Sequence, residues 1–527
     1  MSFLFGTKAK AAPAQKSLGL NTINTATNEQ ANPLPYLAGK RRFAGTFITD
    51  AFDQRTQSVV GGGKDAGKGG GGSGTNYYCG FAIAFCCGPA DGFHDLWLNG
   101  EPVFTSNTPL VPKSLRQLNN TAKFVTSSPH GLTTGDQVIV TGADQPEFNG
   151  EFTVAVIDAN SFTYIIPGTT ILAEAASGQI KAWIVLDPVY RGAEDGLQMT
   201  IPSYGLLNWH WGTETQPVDT YLQVSGTNHP PYHGISGGVF QQFFLGLNQT
   251  NVQNAEVVLS RIPTAAWLAN PAHANIQDEA NPAVVFYDLP THPRVGIGLT
   301  IADFNTADLA AAAEILYAEN FGISVFVDRQ DTALSLVHQI LQIIDALPVL
   351  DANGLISLQL VRAPADYGAL TTLVDANLAD IPQPSAEDWT SAFTQTRIVF
   401  PNRDAAYNND YVEWQDFAAQ EAAQKLCNPQ TLNFDWLTRR DLAQTLVNAF
   451  GPAAAIPPVS GKESLLFTPA LFAALRPGTL FKNNFADPTC ARSNGIFRVI
   501  KRTFSDSSRP VFEIEYAADR SYLNFAP

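Results

Sequence analysis

The sequence predicts a mainly β protein with a smaller α+β part, built from several β-barrel-like domains and a small inserted β-barrel. Three observations carry this expectation. Its 527 residues include 41 Gly and 34 Pro, so turns must be frequent and long helices few. Segments with period-two alternation outnumber segments with helical spacing. Within residues 119–184, strands and turns recur about every ten residues, the spacing of a small barrel. The length suggests roughly three or four domains.

Element by element, residues 59–76 are Gly-rich and read as a flexible loop, because glycine buries no apolar area. Tyr77–Cys87 follows as a nearly all-apolar buried strand, ended by Gly88-Pro89. Leu96–Leu98 is a short strand turned by Asn99-Gly100, a strong hairpin signal. In the insert, Gln137–Thr141, Gly150–Ile157 and Ser161–Ile166 read as strands. Phe152, Val154 and Val156 share one face, as do Phe162, Tyr164 and Ile166. Residues 185–300 read as strand-and-turn material. Asn305 then caps a helix with Leu309, Ala313 and Leu316 on one face and Gly322 as its stop. A second helix spans about Thr332–Ala346, with Leu334, Val337, Leu341 and Ile344 as its stripe and Pro348 closing it. Ile356, Leu358 and Leu360 alternate as a strand. A third helix fits Arg439–Phe450, ended by Gly451-Pro452. Ile496–Phe504 and Pro510–Tyr516 form a closing hairpin. The resulting division is 1–118 as the first part of an N-terminal β-domain, 119–184 as the insert, and 185–300 as the continuation. Residues 301–385 are an α+β domain with a helix pair, and 386–527 are a C-terminal domain.

Composition narrows the function. Acids outnumber bases 48 to 32, giving a net charge of -16 and a pI near 4.9. Gripping nucleic acid needs clustered Lys and Arg, so that class is disfavoured. No window of 18 apolar residues exists, so stable membrane insertion is not expected. The apolar patch Phe3-Leu4-Phe5 is too short for a signal peptide. The five cysteines, Cys79, Cys86, Cys87, Cys427 and Cys490, form no C-x-x-C pair. They read as buried thiols of a chain made in a reducing cytosol. Thirty-three Phe against two Met favour rigid packing over an adaptable groove.

No motif promises catalysis, and no catalytic, cofactor-binding or metal residue is assigned. Gly62–Gly69 nearly spells a P-loop, but Gly69 stands where the magnesium-holding hydroxyl belongs. Gly234-Ile235-Ser236-Gly237-Gly238 matches G-x-S-x-G, yet Pro230-Pro231 precede it and strand-like residues follow, where a nucleophile elbow needs a strand and then a helix. His210, His229, His233, His273 and His292 are scattered without metal-ligand spacing, His229 with His233 being the best pair. Asp50/Asp53 and Asp328/Asp331 read as solvated turn acids. Trp209-His210-Trp211 offers a stacking surface for sugar or base, but a half-buried aromatic patch at a domain contact is the plainer reading.

Several segments stand in a telling order: Pro33–Gly39 with Arg42–Gly45, Gly88–Gly92, Trp97–Val103, Tyr232–Ile235 through Leu245-Gly246, Arg261–Pro263, Asn281–Ala283, Asp351–Arg362 and Arg476–Gly478. Together they resemble the baseplate-hub or tip-attachment (tail hub) family of long-tailed phages and gene transfer agents. Nearly the whole chain except 119–184 takes part. The resemblance implies a non-enzymatic structural protein without cofactors. It would be a homotrimeric ring at the distal end of the tail tube, touching the distal tail protein, the C-terminal end of the tape-measure protein, and tip or central fibre proteins. DNA would pass through transiently without specific binding. The protein would be assembled in the host cytoplasm and reside in the virion. The chain ends soon after the hub region, so host recognition would fall to a separate chain. The alternatives are a receptor- or carbohydrate-binding tail-tip protein that uses the insert, and a tail-associated cell-wall hydrolase.

Overall fold

The computed structural model describes residues 34–59, 74–105, 110–127, 129–130, 132, 134–166, 174–185, 197–201, 204–252, 254–329, 331–351, 353–364, 366–380, 383–386, 392–422, 428–456, 459–485, 495–504 and 510–519. The Gly62–Gly69 motif, Cys427, Cys490 and the Ser505–Ser508 turn lie outside them. Strands dominate, with six α-helices among the described residues. The chain divides into two compact units, Met1–Arg261 with Phe326–Gln330, and Ile262–Val325 with Asp331–Pro527.

The first unit is organised by one long strand, Gly74–Cys87, which is buried from Cys79 onward. It pairs antiparallel with Ile235–Leu247, and on its other edge with Thr46–Phe47 and Phe52–Val59. Leu197–Ile201 and Gly205–His210 complete this sheet. In a second, five-stranded sheet Tyr36–Ala44, Ala255–Arg261, Gly92–Leu98 and Glu101–Thr105 are successive neighbours. The last two strands turn through Asn99 (φ 52°) and Gly100 (φ 82°), the left-handed pair that a two-residue hairpin requires. Phe81 stacks on Phe240 at 4.5 Å and meets Phe243 edge-on at 5.2 Å, while Trp209 packs on Phe85 and Phe93.

The insert forms a seven-stranded antiparallel sheet between Pro112 and Val185. Its strands Gln137–Ala143, Gly150–Asp158 and Ser161–Ile165 follow the sequence pattern. Phe152, Val154, Phe162, Tyr164 and Ile166 are buried as the alternation requires. The expected barrel is not closed among the described residues: the strand order ends on Glu174–Ala175 and Gly178–Val185, and beyond the ladder Ala182 makes an isolated bridge to Leu110. Only one residue pair is in register there, too little for a continuous ladder.

In the second unit a six-stranded sheet orders Thr371–Leu373, Leu480–Asn483, Ile496–Phe504, Val511–Ala518, Val459–Leu466, Gln383–Ala386. Phe481, Phe497, Phe512, Ile514 and Tyr516 fill its core. The closing hairpin is present as read. Helices α1 (Pro282–Thr291), α2 (Thr306–Ala318), α3 (Ala333–Ile344), α4 (Phe417–Ala422), α5 (Arg440–Ala454) and α6 (Pro469–Ala474) accompany it. Asn305 and Thr332 cap α2 and α3 through their side chains. Two expectations change. On α3 the buried face is Ile340, Leu341, Ile343 and Ile344, and Leu334 is 74% exposed. Helix α5 runs through Gly451-Pro452, because proline in the last turn removes only one bond. Gly451 is instead required by the Trp414 ring, which a Cβ would strike. Among the described residues no helix is long and apolar enough to cross a membrane.

Replacing Phe81 by Ala should cost about 3–5 kcal/mol, read as a lowered thermal transition of the first unit, because the cavity opens among rings already in contact. Ile165→Ala, at a position 69% exposed, should shift it by no more than about 0.5 kcal/mol.

Candidate functional site

The residues that suggested chemistry are mostly consumed by structure. Ser236 lies inside the strand Ile235–Leu247 with no exposed surface. Its hydroxyl donates to the Trp211 carbonyl oxygen at 2.6 Å and accepts from the Ala90 N–H at 3.2 Å. Gly237 is needed because a Cβ there would sit 2.7 Å from the Ile83 carbonyl oxygen on the neighbouring strand. The G-x-S-x-G pattern thus records a close strand approach.

The histidines are held separately. His210 bonds Asp219 at 2.8 Å, His229 bonds Ser225, Thr227 and Tyr232, and His233 bonds the Gln216 carbonyl oxygen. His273 bonds Glu314 and stacks on Tyr317 at 3.8 Å, and His292 accepts from the Arg294 N–H. Burial pushes the Asp219 carboxyl up, but hydrogen bonds from His210, Asn208 and the Tyr221 N–H outweigh it and hold the group below the usual range. Asp53 accepts from Tyr221 Oη at 2.7 Å, while Asp328 and Asp331 are exposed. Among the described residues no cluster of His, Cys, Asp or Glu is suited to a metal. Trp209 and Trp211 are fully buried rather than half-buried. Cys79, Cys86 and Cys87 are buried free thiols, and burial pushes Cys79 and Cys86 up to about 12, which leaves them unreactive.

The motif residues in the first unit meet one another. Arg42 lies 3.8 Å from the Trp97 ring centroid and bonds Glu256 at 2.7 Å. Arg261 Nη1 donates to the Leu37 carbonyl oxygen at 2.8 Å, its guanidinium over the Tyr36 ring. Residues far apart in sequence thereby clamp adjacent strands of one sheet.

Two surface features remain. In the first unit a shallow hollow is lined by Tyr78, Tyr204, Phe244, Asn76 and Gln242. In the second, a cleft of about 970 Å³ lies between α2, the hairpin Ala346–Leu350/Ile356–Leu360, α6 and the Arg476–Thr479 turn.

The second unit also buries two carboxyls that sequence reading passed over. Glu279 is fully buried. Thr438 Oγ1 donates to its Oε1, and Arg439 Nη1 lies 3.9 Å from Oε2. Glu463 accepts from Asn483 Nδ2 at 3.0 Å. Burial raises both to about 7. The signal for Glu463 was its phase, since it shares the inward face of its strand with Leu465.

No protein-family model matches the chain, and no curated protein matches it either. A chain of the virion of a native gene transfer agent particle aligns over 99% of this chain and 90% of its own, with a TM-score of 0.54 and 11% identity. The fold is shared with that virion protein. The 43 kDa tail protein of prophage MuSo2 from Shewanella oneidensis covers 81% of this chain and 98% of its own at TM-score 0.29 and 9% identity. A tail protein from Neisseria meningitidis MC58 covers 77% and 98% at TM-score 0.30 and 10% identity. The fold assignment rests on the gene transfer agent chain.

The Glu463 carboxyl predicts a pH effect of definite sign. Its folded value lies above the ordinary 4.5, so the folded protein holds the proton more tightly. Its contribution is fully favourable below about 4.5 and is lost as pH rises through about 7. Glu463→Gln should therefore stabilise the second unit by about 1–3 kcal/mol at pH 8 and by far less at pH 4.5, measured by denaturant unfolding at both values.

Proposed function

We propose that the chain is a structural tail component of a phage-like particle, a hub in which three copies form a ring at the distal end of the tail tube. The carrying observation is the fold shared with a gene transfer agent virion chain over almost its full length. The ordered motifs from Pro33–Gly39 to Arg476–Gly478 narrow that reading to the hub. Neighbours would be the distal tail protein, the tape-measure C-terminal end, and tip or fibre proteins. DNA would pass without specific binding, since a chain of net charge -16 repels phosphate. The protein acts through shape rather than catalysis. Within this reading the divisions 1–118, 119–184, 185–300, 301–385 and 386–527 serve as hub segments around a peripheral insert.

Immunogold labelling of purified particles with antibody to this chain should mark the distal tail tip, and light scattering of the purified protein should give a trimer. Label absent from particles would overturn the tail reading. Label spread along the tube, or a monomer, would overturn the hub.

A second reading, saccharide binding, is favoured by the hollow on the first unit. Tyr78 and Phe244 present adjacent rings 5.4 Å apart beside the amides of Asn76 and Gln242, the aromatic-plus-amide chemistry that suits a sugar. Host-cell glycans immobilised on a surface should then retain the wild-type protein and release Tyr78→Ala; equal retention sinks this reading.

A further inference from the structure

We propose that the cleft of the second unit is a docking groove for an extended acidic segment of another protein, whose carboxylate is taken between Arg476 and Arg502. The inference concerns the isolated chain and does not depend on the tail reading.

The walls are apolar, with Ile315, Pro348, Leu350, Leu360, Phe472 and Pro477 among them. Ile315 is 44% exposed and Leu350 68% exposed. The volume lies near the upper end of ordinary ligand sites, roughly 300–1,000 Å³, which suits a short stretch of extended peptide.

The charges in the cleft are unequally satisfied. Arg362 is neutralised by two bonds to Glu319, at 2.7 and 2.8 Å. Asp308 accepts from Ser357 Oγ at 2.6 Å, and Asp351 from the N–H groups of Asn353 and Leu355. Arg502 lies over the Phe472 ring at 3.6 Å and donates to the carbonyl oxygens of Phe472 and Leu475. Those acceptors are neutral, and among the described residues no carboxylate pairs with Arg502. Arg476 is exposed and pairs with no carboxylate among the described residues. Burial and the neighbouring Arg476 cation both hold Arg502 below its ordinary range. Two like charges therefore share the end of an apolar trough, and an anion would relieve both.

Arg476 is also presented on a fixed turn. Gly478 takes φ 89°, a conformation that a side chain would strain. Its carbonyl oxygen accepts from Gln359 Nε2 at 3.0 Å and Arg498 Nη1 at 2.7 Å, and Thr479 Oγ1 donates to the Arg476 carbonyl oxygen at 2.7 Å. Little backbone ordering is left for binding to impose.

Charge complementarity selects the occupant. The chain carries 48 acids against 32 bases, so an acidic segment is repelled over most of the surface and welcomed here. A basic segment would be attracted widely and find no special place. Nucleic acid fits poorly, because it needs a run of cations along its phosphates, and two guanidiniums between apolar walls are not one.

The test is fluorescence polarisation with the full chain and a fluorescein-labelled octapeptide alternating valine and glutamate. Saturable binding is expected. Arg476→Gln should weaken it about tenfold, the worth of one charge-assisted hydrogen bond, and Arg476→Lys should recover part. Ala473→Glu, at an exposed position three residues away that also lines the cleft, should weaken it comparably by supplying a competing carboxylate. Thermal melting should be unchanged in these variants. The proposal is overturned if the peptide does not bind, or if a valine–glutamine octapeptide binds as well. It also fails if Arg476→Gln and Ala473→Glu both leave binding intact, or if a single-stranded DNA octamer displaces the labelled peptide as readily as unlabelled peptide does.

Discussion

The first unit depends on one constraint, the close approach of Gly74–Cys87 to Ile235–Leu247. The two strands are held by a paired ladder and by the Phe81, Phe240 and Phe243 rings. At Gly237 a Cβ would meet the Ile83 carbonyl oxygen of the opposing strand, whereas at Gly80 it would meet the Phe52 and Tyr221 rings, which pack on the other side of Gly74–Cys87. The rest of that six-stranded sheet is built outward from this pair. Gly205–His210 extends it on one side, and Thr46–Phe47 with Phe52–Val59 on the other. The aromatic residues that read as candidate binding groups, Trp209 and Trp211, are instead the filling between its two sheets.

The residues that suggested catalysis or metal binding are engaged by their neighbours. A nucleophile must be free to move its proton, whereas Ser236 has both directions of its hydroxyl engaged. A metal site gathers ligands, whereas His210, His229, His233, His273 and His292 each have their own separate partners. The motif residues behave alike: Arg42 with Trp97, and Arg261 with Tyr36 and Leu37, clamp strands whose sequence positions are widely separated.

Much of the fold was legible, for physical reasons that differ by element. The strand Tyr77–Cys87 was plain because a strand buried on both faces is an uninterrupted apolar run. The insert's strands were plain because one face of each is wet. Helix α2 was found from its Asn305 cap and α3 from its apolar spacing, but α1 and α6 were passed over although Asn281-Pro282 and Thr468-Pro469 spell a start signal, a capping side chain followed by proline. Their apolar content masked the signal, since α1 is buried almost all round. Barrel closure was misread because ladder continuity depends on how far a sheet curls, which strand length and alternation do not encode. The buried acid Glu279 and the Arg476–Arg502 pair were hidden because tertiary approach creates them, whereas Glu463 was marked by the alternation of its strand.

The pairing of Ala84 with Gly237 has a consequence for biogenesis. The two lie about 150 residues apart, with the whole insert between them. At about 5–20 residues per second, a ribosome takes roughly ten to thirty seconds to deliver the second strand after the first. Throughout that interval the greasy ribbon has Thr46–Phe47 and Phe52–Val59 for one edge but lacks the mate for the other. The nascent polypeptide would need shelter by a holding factor, and the insert, able to condense first from nearby contacts, would be the earliest structured landmark on the growing chain.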